Sequence, residues 1–142
     1  MTPLTSYLPT DCTSKYVVKL YEFNVPAGFP SPAADFTERT LDLNEYIVKR
    51  PSSTFFVQVI GDSMQNAGIY EGDIIVVDKS LTAQHGNIVL ATIHGEFTVK
   101  RFWKTGNKHF LMPENDRYQP TEILPDTGFE VWGVVIHVLH KV

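Results

Sequence analysis

The chain has 142 residues, enough for one compact domain with a tail. Its 43% hydrophobic and 20% charged residues are ordinary for a globular protein and exclude wholesale disorder. The net charge is -4, and no basic run exceeds Lys49-Arg50 or Lys100-Arg101, so no basic face is offered to phosphate and direct nucleic-acid binding is not expected.

Residues 1 to about 40 are rich in Pro, Ser and Thr and lack sustained periodicity. The start, Met1-Thr2-Pro3-Leu4-Thr5-Ser6, has neither a basic n-region nor an apolar core and makes a poor signal peptide. Cys12 is the single cysteine, so no internal disulfide and no oxidising compartment are implied. With no apolar run long enough to span a bilayer, a cytoplasmic location is the default expectation. Tyr16 to Phe23, YVVKLYEF, is an apolar-rich run suited to an extended segment. The following Val25-Pro26-Ala27-Gly28-Phe29-Pro30-Ser31-Pro32 holds three prolines and a glycine, which exclude a helix interior or a central strand. An accessible, extended linker is the natural reading.

Leu41 to Val48 reads as a short helix or turn, stopped by Lys49-Arg50-Pro51. From Thr54 the pattern turns β-like. Strands are expected at Thr54–Val59, Asp73–Asp78, Asn87–Ile93, Glu96–Trp103, Lys108–Met112 and Val131–Leu139, with His94-Gly95 as a hairpin turn. The only helical candidate among them is a turn near Met64 to Gly68. Short strands separated by turns predict a mostly-β domain. Phe55, Phe56, Phe97, Phe102, Trp103 and Trp132 fall in these patterns and read as core or dimer-interface residues. No zinc site is expected: His137 and His140 are three apart on a strand and face opposite ways, and Cys12 stands alone.

The chemistry centres on Ile60-Gly61-Asp62-Ser63-Met64. A strand ends, glycine permits a tight turn, and a serine follows at the start of a short helical turn. Such a turn exposes a hydroxyl and leaves backbone N–H groups free to hold an oxyanion. The same residues also fit an ordinary turn with an N-capping serine. None of the five histidines lies in a hydrolase context, and there is no G-x-S-x-G elbow. Lysine is the other known base, and it must be neutral to accept a proton, which requires burial. Lys100 lies inside the strand Phe97-Thr98-Val99-Lys100-Arg101-Phe102, on one face with Thr98 and Phe102. Thr98 offers a hydroxyl to orient the amine. A strand lysine is more often exposed, so the residues alone leave both readings open.

An ordered set of segments resembles the UmuD/LexA group of self-cleaving proteins, UmuD-like members most closely. The segments are Ala27-Gly28-Phe29-Pro30-Ser31-Pro32-Ala33-Ala34-Asp35, Asp42-Leu43-Asn44, Gly61-Asp62-Ser63-Met64, Gly68-Ile69, Gly72-Asp73, His85-Gly86, Gly95-Glu96-Phe97-Thr98-Val99-Lys100 and Gly133-Val134-Val135-Ile136-His137-Val138. The resemblance implies a compact, mostly-β domain like that of LexA and signal peptidases, carrying a flexible, extended N-terminal arm. It implies Ser63 as nucleophile, Lys100 as general base, the backbone N–H groups of Asp62 and Ser63 as oxyanion donors, and Ala27–Gly28 as the scissile bond. The implied division is an arm of residues 1–27 removed by self-cleavage, a linker over 28–40 and a Ser–Lys peptidase domain over 41–142. The implied partners are a RecA–single-stranded DNA filament as co-protease, a second copy in a homodimer, and a UmuC-like Y-family DNA polymerase. No cofactor or metal is implied. Departures fall in the arm before Ala27, in the alanine before Gly28, where UmuD-like proteins may carry cysteine, and from Trp103 to Glu130. A repressor is not expected, because the residues before the cut are too few for a helix-turn-helix module.

Overall fold

The computed structural model describes residues 16–22, 25–29 and 37–142. The first part of the arm, Cys12 included, and the segment Ala33-Ala34-Asp35 lie outside the described residues. Strand β1 (Val17–Glu22) falls in the run expected to be extended. It pairs antiparallel with β2 (Thr37–Asp42), forming a separate two-stranded sheet. β2 overruns the stretch read from sequence as the end of a linker, because its residues are too polar to signal a strand. Cross-strand charge supports the pairing instead: Arg39 Nε lies 2.7 Å from Glu22, and Thr37 Oγ1 donates to Glu22 at 2.7 Å.

Asp42 caps helix α1 (Leu43–Ile47), its carboxylate accepting from Asn44 N at 3.0 Å and Glu45 N at 3.3 Å. Ile47 is the buried residue of this helix, and a 3-10 turn at Pro51–Ser53 leads into the main sheet. That sheet contains β3 (Thr54–Gln58), β4 (Ile74–Asp78), β5 (Ile88–Ile93), β6 (Glu96–Thr105), β7 (Lys108–Met112), β8 (Thr121–Glu122) and β9 (Glu130–Leu139). Its order is β3-β4-β9-β5-β6-β7-β8, with every pairing antiparallel. β8 is two residues long, too short to leave a periodic signal.

Both faces of this sheet are covered. Leu90 joins Val59, Met64, Ile69, Ile75 and Val77 in one core cluster. Its neighbours Val89 and Ala91 join Phe102, Leu111 and Val134 in the other. This explains why β4 and β5 read as continuous apolar runs rather than alternating ones. β9 bridges the two halves of the sheet and shifts register against both β4 and β5. Gly133 sits at this crossing, where an added Cβ would lie 2.6 Å from Val77 Cγ1 and 2.8 Å from Asp78 O. Any side chain there would force the strands apart.

Beside the same crossing, Asp78 is fully buried and saturated with donors. Its carboxylate accepts from Ser80 Oγ at 2.6 Å, Ser80 N at 2.8 Å, Ser53 Oγ at 2.9 Å and Arg50 Nη1 at 2.8 Å. Led by the Ser80 hydroxyl, and against the cost of desolvation, these donors hold its pKa at about 2.

Candidate active site

Two strand ends build the site. β3 hydrogen-bonds β4 on one side only, and the first half of β6 pairs with β5 while its second half, from Arg101, also pairs with β7. The outer edge of β3 and that of Glu96–Lys100 are thus unpaired among the described residues. A cleft of about 240 Å³ lies here, lined by the end of β3 with Val59 and Ile60, by Gly61, Ser63 and Met64, by Leu90, and by Phe97–Lys100 of β6.

Beyond β3 the chain turns at Gly61, whose φ of +85° is the left-handed conformation that a side chain disfavours. Met64 is 3% exposed and anchors the turn in the first core cluster. A 3-10 turn at Gln65–Ala67 follows, at the place read from sequence as helical. Ser63 is thereby held at the cleft while its neighbour fills the core.

Lys100 Nζ lies 2.9 Å from Ser63 Oγ, 2.8 Å from Thr98 Oγ1 and 3.2 Å from Val99 O. Residues 37 apart in sequence meet here. All three partners of the amine are neutral, and burial pushes its pKa below the ordinary lysine value. A neutral amine has two N–H groups and one lone pair. With the N–H groups on Thr98 Oγ1 and Val99 O, the lone pair is left facing the Ser63 hydroxyl.

A second group of residues, which sequence reasoning missed, grips the Gly61–Met64 turn from the loop after β7. Glu114 N donates to Ser63 O at 2.8 Å, and Asn66 N donates to Glu114 O at 2.8 Å. Asn115 Nδ2 donates to Asp62 O at 2.9 Å. The Asp62 carboxylate accepts from Tyr118 Oη at 2.5 Å and is bridged by Arg117. The Tyr118 hydroxyl, against some desolvation, and then Arg117 hold the Asp62 carboxyl below the usual range. Arg101 steadies the loop, its Nε 2.5 Å from Glu114 and its Nη1 donating to Gly86 O at 2.6 Å. Only the register of β6 and β7 brings this polar loop to the turn, so no local motif announces it.

Ala27 and Gly28 are exposed in a bend and are not among the residues lining the cleft. Phe102 is core, one of the two readings open to it, while Phe97 lines the cleft, is 61% exposed and packs its ring 5.2 Å from Trp132. Phe97 escapes burial because it lies where β6 has lost its neighbour on one side. His137 packs on Tyr46, and His140 Nδ1 lies 2.6 Å from the buried Asp73. Among the described residues no helix is long and apolar enough to cross a membrane, and no group of His, Cys, Asp and Glu is arranged to hold a metal.

Comparison with known proteins matches residues 19–136 to the Peptidase S24-like family. The chain is 47% identical to protein MucA of Salmonella typhimurium over 123 residues, 86% of this chain and 84% of that protein. It is 48% identical to protein SamA of Salmonella typhimurium strain LT2 over 122 residues, 86% of this chain and 84% of that one. It is 40% identical to the LexA repressor of Shewanella halifaxensis over 118 residues, covering 82% of this chain but 57% of the repressor.

Proposed function

The chain belongs to the S24-like peptidase family, as a UmuD-like member of its LexA/UmuD group, and from that premise we propose that it is a serine peptidase that cuts itself once, between Ala27 and Gly28. The observation that carries this reading is the 2.9 Å approach of Lys100 Nζ to Ser63 Oγ, with the amine part-buried among neutral partners.

In this mechanism neutral Lys100 takes the Ser63 proton as Oγ bonds to the Ala27 carbonyl carbon. The backbone N–H groups of Asp62 and Ser63 hold the oxyanion that forms. The intermediate collapses, the Ala27–Gly28 bond breaks, and the Lys100 ammonium protonates the departing Gly28 nitrogen. Water, activated by the amine now neutral again, attacks the Ala27–Ser63 ester and releases the arm. Val25-Pro26-Ala27-Gly28-Phe29 suits this cleft: it favours extended backbone, and the small residues at the cut let that backbone lie close between the two unpaired strand edges.

Because Ala27 and Gly28 stand outside the cleft, the arm must move to react. Tethering supplies a high effective concentration, so a docking equilibrium set against the cut keeps basal cleavage slow. We assign the docking stimulus to a RecA–single-stranded DNA filament formed on DNA damage. The 28–142 product then acts as a homodimer, as accessory subunit of a UmuC-like Y-family polymerase in SOS mutagenesis. Incubation of the full chain with and without the filament tests this. The filament accelerates appearance of the 28–142 fragment, Ser63→Ala and Lys100→Ala abolish it, and a chelator leaves the filament-free alkaline reaction unchanged. An equal rate with and without filament overturns the trigger. Failure of the 28–142 dimer to bind the polymerase overturns the subunit role.

A further inference from the structure

We infer that Asn115 is a positioning residue for the oxyanion site, setting the plane of the peptide that presents the Ser63 N–H. This rests on the self-cleavage reading above. The Asp62–Ser63 peptide is trans, so its C=O and N–H point in opposite directions. Fixing the carbonyl therefore aims the N–H. The Asp62 carbonyl accepts from Asn115 Nδ2 at 2.9 Å and from Gln65 N at 3.2 Å. Asn115 is not among the residues lining the cleft, so it acts through the Asp62 carbonyl and not by touching substrate.

Several features make Asn115 a built support. The residue is 9% exposed. Its Oδ1 accepts from Arg117 N at 3.0 Å while its Nδ2 holds Asp62 O, so the reversed amide would set acceptor against acceptor and donor against donor. The next peptide is fixed by the same loop, through Glu114 N on Ser63 O at 2.8 Å. The Asp62 and Ser63 carbonyls are thus tied to residues 115 and 114, which leaves the peptide that presents the Ser63 N–H little freedom to rotate. Two donors on one carbonyl also polarise that peptide and strengthen its N–H as a donor.

Asn115→Asp in the full chain keeps the acceptor for Arg117 N and loses the donor to Asp62 O, and Asn115→Ala loses that donor without adding a charge. Two quantities are read: the plateau rate of alkaline self-cleavage, and binding of a peptide boronate ending in the Val25-Pro26-Ala27 sequence against the matching carboxamide. The boronate forms a tetrahedral adduct that needs the oxyanion donor; the carboxamide does not. The expected result is a loss of about 10–100-fold in both plateau rate and boronate affinity, somewhat less than deletion of an oxyanion donor costs. Carboxamide affinity stays unchanged, and in Asn115→Ala, which adds no charge, so does the pH midpoint. Asn115→Ala, read the same way, carries the test if the carboxylate unfolds the loop. A variant that melts normally and cleaves at the wild-type rate overturns the inference, as does an equal loss of boronate and carboxamide binding. Absence of product from the wild-type chain would instead contradict the self-cleavage reading.

Discussion

Thr98→Val separates orientation of the Lys100 amine from its ionisation. The substitution is nearly isosteric and replaces the hydroxyl whose oxygen lies 2.8 Å from Nζ with a methyl group. Two effects follow, with different signs. The hydroxyl bonds more strongly to an ammonium than to an amine, so losing it disfavours the charged form and moves the pH midpoint of cleavage to lower values. At high pH, where the amine is neutral in both proteins, the variant has lost one of two bonds that aim the lone pair at Ser63. A neutral hydrogen bond is worth about 1 kcal/mol net, so the plateau falls by about fivefold. Below the midpoint the larger neutral fraction offsets part of this loss, and the two rate profiles converge towards low pH. The assay is a single-turnover time course of the full chain across a pH series, fitted for midpoint and plateau. A midpoint displaced to higher pH, or an unchanged plateau, would refute the assignment of Thr98 as the partner that orients a neutral Lys100.

Other consequences concern the scaffold. Because burial lowers the Lys100 pKa in the folded chain, the unfolded chain holds that proton more tightly, and stability rises with pH between the folded and unfolded values. Lys100→Met removes this penalty, so it abolishes cleavage yet raises the Tm at neutral pH; an unchanged or lower Tm contradicts it. Gly133→Ala forces β4 from β9 and costs about 1–3 kcal/mol, read as a denaturation midpoint several degrees lower. The Asp78 carboxyl, held at about 2, contributes stability that is fully present above the ordinary aspartate value and is lost as pH falls through about 2. Asp78→Asn therefore destabilises the fold by about 1–3 kcal/mol near neutrality, and the difference from wild type shrinks in acid.

The strands of the main sheet were largely legible in the sequence because Gly-bearing turns punctuate short β-branched and aromatic runs. Two strands were not. β2 is polar throughout, and its stabilising pairs with Glu22 become visible only once its register against β1 is known. β8 is too short to carry a period. At the site, alternation alone put Thr98 and Lys100 on one face, but no local signal sets a lysine beside a serine 37 residues away. That approach depends on Met64 entering the core and on the loop after β7 closing over Asp62 and Ser63. Glu114, Asn115, Arg117 and Tyr118 look like any solvated loop in sequence. Their meaning comes from which carbonyls and which carboxylate they touch, which only the folded β6–β7 hairpin decides.

In the proposed mechanism this Ser–Lys pair cuts this arm. Intact-mass measurement of the purified full chain is decisive, made before and after incubation at alkaline pH, where burial of Lys100 leaves more of its amine neutral than in an ordinary lysine. The expected spectrum contains two new masses, one for residues 1–27 and one for residues 28–142, and neither forms from Ser63→Ala. An undivided chain after prolonged incubation, or the same two fragments from Ser63→Ala, would contradict it.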